Sequence, residues 1–380
     1  MLAIPLIKPD LPVLEDIEGS FREILENGKI TNFGKYVNAL ESEASAYLDA
    51  KAITVSSGTA GLVFALQALG LPRGKKVIVP SFTFMATAQA VIYAGGIPVF
   101  AEIEDDLTIS ATDVARLLEK YTDVGAVIGT HTYGMPCHAD ELQKVVDEYA
   151  KKQSQPVFLM YDAAHAFGSS NNGRRVGSLG AAEVFSLSVT KMLVCVEGGM
   201  VTSRDSNVIE RIRKMRNYGI EANYEARWPG MNGKMSEFHA IIGLYNLRRL
   251  DRLVSERQCK ARYYLDKIKC LTDYETLAWP EGVVHTFKDF TVLMPKEKVA
   301  RRDAAMAFLQ AMGIETRAYF CPPVHEQRMF KDYADRPLPR TELLARRVIT
   351  LPFYTSITQQ EMDLVVTALR QSQQVWRGNG

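Results

Sequence analysis

The stretch that decides the fold reads Val184-Phe185-Ser186-Leu187-Ser188-Val189-Thr190-Lys191 and resumes at Glu197-Gly198-Gly199-Met200-Val201-Thr202. An apolar run, Val184–Leu187, opens into a short polar loop that reaches a lysine. A second apolar run, Met200–Thr202, follows a pair of glycines. Runs this short, bounded by small and polar residues, suit buried strands better than helices. The same texture recurs upstream at Ile53–Val55, Val77–Val79, Ile97–Phe100, Ala126–Ile128 and Val157–Tyr161. Helical patterns lie between most of these runs, at Gly61–Leu69, Met85–Ala94, Ala111–Lys120 and Ala139–Lys152. Alternating strands and helices predict an α/β fold whose large, mostly parallel sheet is covered on both faces.

The flanks read differently. Helices are expected near Glu15–Leu25 and Tyr36–Leu48 ahead of the sheet. Beyond residue 203 come long charged helical patterns at Asn207–Asn217 and Met235–Lys267. A period-2 strand follows at His285–Pro295, then a helix at Arg301–Met312, the segment Tyr319–Val324 and a last helix at Gln359–Gln373. This predicts a large α/β domain over 1–250 and a smaller α+β domain over 251–380. The boundary falls inside a long connecting helix, and the N-terminal segment is free to pack with the smaller domain.

Composition narrows the function. The chain has 380 residues, enough for two domains, with 47% hydrophobic and 23% charged residues, as in globular proteins that bury a sizeable core. The 45 basic and 44 acidic residues give a net charge of +1, which offers no electrostatic case for nucleic acid or a membrane surface. The basic run Arg211–Arg216 reads as a solvated helix face. Five irregularly spaced cysteines fit a reducing compartment, and no signal peptide or membrane span is evident, so a cytoplasmic location is expected. Cys137-His138-Ala139-Asp140 with His131 matches no common zinc spacing, and no metal is expected.

Four stretches carry candidate chemistry. Ser56-Ser57-Gly58-Thr59-Ala60-Gly61 opens a helix, whose N-terminal N–H groups suit a phosphate or are simply capped by a hydroxyl. Val157–Tyr161 runs into Asp162, with His165 three residues on; a carboxylate at a strand's carboxyl end either faces a ligand or caps the loop. Lys191 sits among small and apolar residues. Desolvation there would make its amine nucleophilic, whereas an ordinary loop lysine would be solvated. Pro80-Ser81-Phe82-Thr83-Phe84-Met85 offers an aromatic ring for stacking or for the core.

Taken in order, these stretches resemble the DegT/DnrJ/StrS nucleotide-sugar aminotransferases. The similarity runs from Ile30-Thr31-Asn32-Phe33-Gly34 through Arg216-Asn217-Tyr218-Gly219 and Pro229–Gly243 to Leu351–Glu361. It implies the three-layer pyridoxal-phosphate (PLP)-dependent transferase fold type I, with PLP as cofactor and pyridoxamine phosphate as its aminated form. By this resemblance Lys191 matches the Schiff-base lysine, and Asp162 the partner of the pyridine nitrogen. Phe84 matches the ring that stacks on the cofactor, and His165 a residue beside the ring and its phenolic oxygen. Gly58, Thr59, Ala60 and Ser186 match the phosphate cradle. Asn232 matches an asparagine that reaches the phosphate from the partner subunit, implying a homodimer with active sites at the interface. Lys234, Tyr319 and His325 are candidate substrate contacts. Ser188 stands where many members have His, and Lys234 where many have Arg. The lysine at 191 disfavours the dehydratase branch, in which His replaces it. The activity implied is amino transfer from glutamate or glutamine to a nucleotide-linked ketosugar, with 4-keto-6-deoxy sugars favoured by Glu197-Gly198-Gly199.

Overall fold

The computed structural model describes residues 4–152 and 156–374. Its centre is a seven-stranded sheet made of β1 (Lys51–Val55), β2 (Lys76–Pro80), β3 (Ile97–Ala101), β4 (Val124–Thr130), β5 (Phe158–Asp162), β6 (Ala182–Ser186) and β7 (Gly199–Ser203). The spatial order is β1-β7-β6-β5-β4-β2-β3. Every pairing is parallel except the two made by β7, which runs against both β1 and β6. Six strands therefore deliver their carboxyl ends to one edge, and the start of β7 joins them there, with Gly199 opposite both Val55 and Ser186.

Successive strand residues serve opposite faces, as the pleat requires. Val77 and Val79 pack in one layer with Leu62 and Phe64 of α1 (Gly58–Ala68) and with Ile212. Ile78 packs in the other with Leu117 and with Leu142 and Val146 of α2 (Ala139–Ala150). Burial on both faces explains why the strands read as unbroken apolar runs. Close contact also explains a glycine in α1: a Cβ on Gly61 would lie 2.8 Å from Val184 Cγ1.

A separate cluster joins Tyr264, Phe290, Val292, Leu309, Ile349 and Val365 with Ile4 from the N-terminal segment. It is built around an antiparallel sheet of β8 (Glu275–Thr276), β9 (Phe290–Leu293) and β10 (Val348–Leu351). Two expectations are corrected here. The helical pattern Met235–Lys267 forms two helices, Glu237–Leu247 and Leu250–Leu271, parted by a turn at Arg248-Arg249 with neither Gly nor Pro to announce it. The strand expected at His285–Pro295 is confined to Phe290–Leu293, because the chain bends sharply before it, with Phe287 at φ 47°.

Candidate active site

The carboxyl ends of the strands open on a cavity of about 350 Å³, lined from the sheet side by Gly58, Thr59, Phe84, Asp162, His165, Ser186 and Lys191. Ligand sites in open α/β sheets lie at this edge. Tyr319, Phe320, Lys288 and Asp289 close it from the C-terminal half, and Ile7 from the N-terminus.

Each side chain is positioned by local structure. Asp162 is the last residue of β5 and is buried. The Thr87 hydroxyl donates to its Oδ2 at 2.7 Å, and the Ala164 N–H to its Oδ1 at 3.1 Å. Burial pushes its carboxyl up, opposed by those two donors, by Lys191 and by His131. A carboxyl held in this balance is suited to sharing a proton with a buried base.

Lys191 follows the loop after β6, its N–H donating to Ser188 O at 3.0 Å. Burial, then repulsion from Lys288, lower its amine to about 8, while Asp289, Asp162 and Glu197 oppose the shift. A substantial neutral fraction near neutrality is what a nucleophilic amine needs. Burial and the same two lysines push the His165 imidazole well below its usual range, so the ring is neutral. It lies roughly parallel to Phe320, 6.2 Å between centroids.

The phosphate-like end is a helix N-terminus. Ser57 caps α1, its side chain accepting from Ala60 N at 3.1 Å. The capping reading is thus observed, and it does not conflict with an anion site, because the hydroxyl caps one N–H while Gly58 and Thr59 of the first turn line the cavity. A Cβ on Gly58 would sit 3.0 Å from Ser186 Cβ, so glycine is needed where the helix start meets the end of β6. Of the two phenylalanines in Ser81–Thr87, Phe82 is fully buried, whereas Phe84 is 53% exposed at the mouth of the cavity.

Four candidates lie outside the cavity lining. Ala60 is behind Thr59, its N–H engaged by the cap. Asn232 is exposed and bridges Asn217 through the backbone. Lys234 Nζ donates to Asn217 Oδ1 at 3.3 Å and sits 4.9 Å from the centre of the Tyr218 ring. His325 is buried, its Nδ1 2.6 Å from Ser81 Oγ and its Nε2 3.4 Å from Glu342 Oε1. The weighed metal set does not converge: His131 Nδ1 accepts the Cys137 N–H at 3.0 Å, whereas His138 pairs with Asp106 at 2.9 Å. Sequence reasoning missed Lys288 and Asp289. The signal was present, since two adjacent opposite charges break the period-2 alternation read over His285–Pro295.

A family model described as the DegT/DnrJ/EryC1/StrS aminotransferase family matches residues 13–370. The chain belongs to that family. Within it, the chain is 30% identical over 371 residues to a GDP-perosamine synthase of Vibrio cholerae, covering 95% of this chain and 98% of the relative. It is 30% identical over 363 residues to a dTDP-4-amino-4,6-dideoxy-D-glucose transaminase of Escherichia coli, covering 94% and 95%. The solved structure of DesI in the presence of its TDP-sugar product superposes with a TM-score of 0.90 at 31% identity, covering 99% and 96%. As a family member the protein is a sugar aminotransferase, and no helix among the described residues is long and apolar enough to cross a membrane.

Proposed function

We propose that this family member is a PLP-dependent transaminase that moves an amino group from glutamate, or glutamine, to a nucleotide-linked 4-keto-6-deoxy sugar in amino-sugar biosynthesis. The observation that carries the reading is a lysine amine lowered to about 8 in one cavity with a buried carboxyl. The names of the relatives support the sugar class, because one contains a 4-amino-4,6-dideoxy sugar.

The residues present fit PLP. A helix N-terminus, the Gly58–Ser186 contact and a cavity of about 350 Å³ provide an anion cradle beside the amine. Gly58, Thr59 and Ser186 would hold the phosphate, with the Ala60 N–H kept on the Ser57 cap and Asn232 of a second copy completing the cradle in a homodimer. Phe84 and His165 would flank the ring. When bound, the cofactor supplies an electron sink for the bonds of an attached amine. Asp162 would hold a proton on the ring nitrogen and so support that sink. Lys191 would hold the cofactor through its amine and, as a free base, would move a proton to and from the substrate carbon. Tyr319 lines the same cavity and would contact the sugar. Lys234 and Ser188 complete the set of candidate sugar contacts, and His325, buried between Ser81 and Glu342, is left out of it. The reading includes a cytoplasmic setting and two domains, 1–250 and 251–380.

The test is the visible spectrum of the purified protein with PLP, before and after glutamate, beside Lys191→Ala. A yellow band in the wild type, bleached by glutamate and altered in the variant, is the expected result. A band indifferent to both glutamate and the loss of Lys191 would overturn the assignment.

A further inference from the structure

The pair Lys288 and Asp289 enters the chemistry above only through its influence on the Lys191 amine, yet both residues line the cavity and both are buried. Lys288 Nζ donates to Asp289 Oδ1 at 2.7 Å. The other oxygen, Asp289 Oδ2, is buried without a hydrogen-bond partner. A buried carboxylate oxygen left without a donor is costly, so its nearest donor matters. His165 Nδ1 lies 3.8 Å away, one small closure from a hydrogen bond.

The same bend grips His165 a second time: the Thr286 hydroxyl donates to the His165 carbonyl at 2.8 Å. The bend is itself braced. Arg257 Nε donates to Thr286 O at 3.0 Å, its Nη2 donates to Phe287 O, and the Lys288 N–H donates to Tyr133 O at 2.9 Å. Phe287 takes up a positive φ of 47°, uncommon for a large side chain, to turn the next two residues toward the cavity. The ring of His165 meanwhile lies roughly parallel to Phe320.

We infer that Asp289 is a positioning residue for His165: it takes the Nδ1 hydrogen, fixes that tautomer, and leaves Nε2 as a hydrogen-bond acceptor. A neutral imidazole carries one ring hydrogen, and the partner of one nitrogen decides the role of the other. Lys288 has a separate part. It balances the charge of Asp289, so the carboxylate orients the ring without drawing a second proton onto it. A ligand group that meets Nε2 must then bring its own hydrogen, as a hydroxyl or an amine does.

The inference is tested without turnover, by long-range ¹H–¹⁵N NMR of the full-length protein, as purified, with ¹⁵N-labelled histidine at neutral pH. The His165 signals are assigned by their loss in His165→Gln. The expected wild-type pattern is the Nδ1–H tautomer. Asp289→Leu shifts it to Nε2–H, and Asp289→Asn, whose amide oxygen still accepts, restores Nδ1–H. Because Asp289→Leu leaves Lys288 buried and unpaired, the double variant Lys288→Met with Asp289→Leu, which removes both charges together, carries the same expectation. An Nε2–H tautomer or an imidazolium in the wild type overturns the inference. So does a tautomer unchanged when the carboxylate is removed. Failure of the spectral test with PLP and glutamate would leave these signals readable, so the two readings fail separately.

Discussion

Two lysines share the cavity, and they differ in what lies within reach of the nitrogen. Lys288 has a carboxylate at 2.7 Å. Lys191 has none that close: among the described residues nothing hydrogen-bonds its Nζ, although Asp162, Asp289 and Glu197 all contribute at longer range. A partner at contact distance holds an ammonium charged, and burial with distant partners releases the amine. The comparison teaches that placing a lysine in a cavity does not make it reactive. Withholding its counter-ion does, and here the second lysine, already paired, adds repulsion to the first.

The largest effect expected is on Lys191 itself. Lys191→Ala should lower transamination about 10³-fold or more, since both covalent attachment and proton transfer at one carbon are lost. Single-turnover kinetics with glutamate reads this directly, and a loss of tenfold or less would move the chemistry to another residue. Lys288→Met addresses the other side of the comparison. With the repelling charge gone, the Lys191 amine should titrate above about 8. The check is the pH dependence of formaldehyde–borohydride labelling of Lys191 in cofactor-free protein, followed by peptide mass spectrometry. In the double variant lacking Asp289 as well, an opposing influence is also gone, and the midpoint should fall back toward the wild type. Equal midpoints in wild type and Lys288→Met would break the argument that the two lysines are coupled.

Lys191 and Asp162 were legible in the sequence because each follows a short apolar run in a repeating βα pattern, and strand ends are where such sheets expose side chains. Phe84 was ambiguous beside Phe82, since only the fold decides which ring meets the core. Lys288 and Asp289 were not found, because they arrive almost a hundred residues after Lys191 from a segment whose alternation read as a regular strand. The bend at Phe287 turns what a period-2 reading would place on opposite faces into a contacting pair. His325 went the opposite way. As a histidine near Tyr319 it read as a substrate contact, and burial against Ser81 made it part of the scaffold. The break between the helices at Arg248-Arg249 left no local mark, because tertiary packing, without Gly or Pro, sets it.

Withholding the counter-ion from Lys191 has a cost in stability, and its sign is fixed. The folded amine titrates at about 8, against about 10.5 for an ordinary lysine. Below pH 8 both states are protonated and the penalty is fully present. Between the two values the unfolded chain binds more protons, so stability rises with pH and the penalty fades. Lys191→Met should therefore be more stable than the wild type at pH 7, by roughly 3 kcal/mol in the cofactor-free protein, with the difference closing above pH 10. Urea denaturation at several pH values measures it. A variant no more stable than the wild type at pH 7 would mean that Lys191 finds a partner that the comparison denies it.

The smallest effect separates scaffold from site. His325 links Ser81, just after β2, to Glu342 in the helix Pro339–Arg347, at 2.6 and 3.4 Å. Neither nitrogen faces the cavity lining, so His325→Gln should cost stability through the Ser81 bond, about 1 kcal/mol, with kcat within about twofold of the wild type. The informative quantity is KM for the sugar nucleotide. If it stays put, the histidine acts only by joining two elements, as its burial argues. If KM rises while the urea midpoint is unmoved, His325 contacts the substrate after all. The cavity in the working enzyme would then extend past Tyr319 and Phe320, and the boundary drawn between Lys191's surroundings and the rest of the C-terminal half would have to move with it.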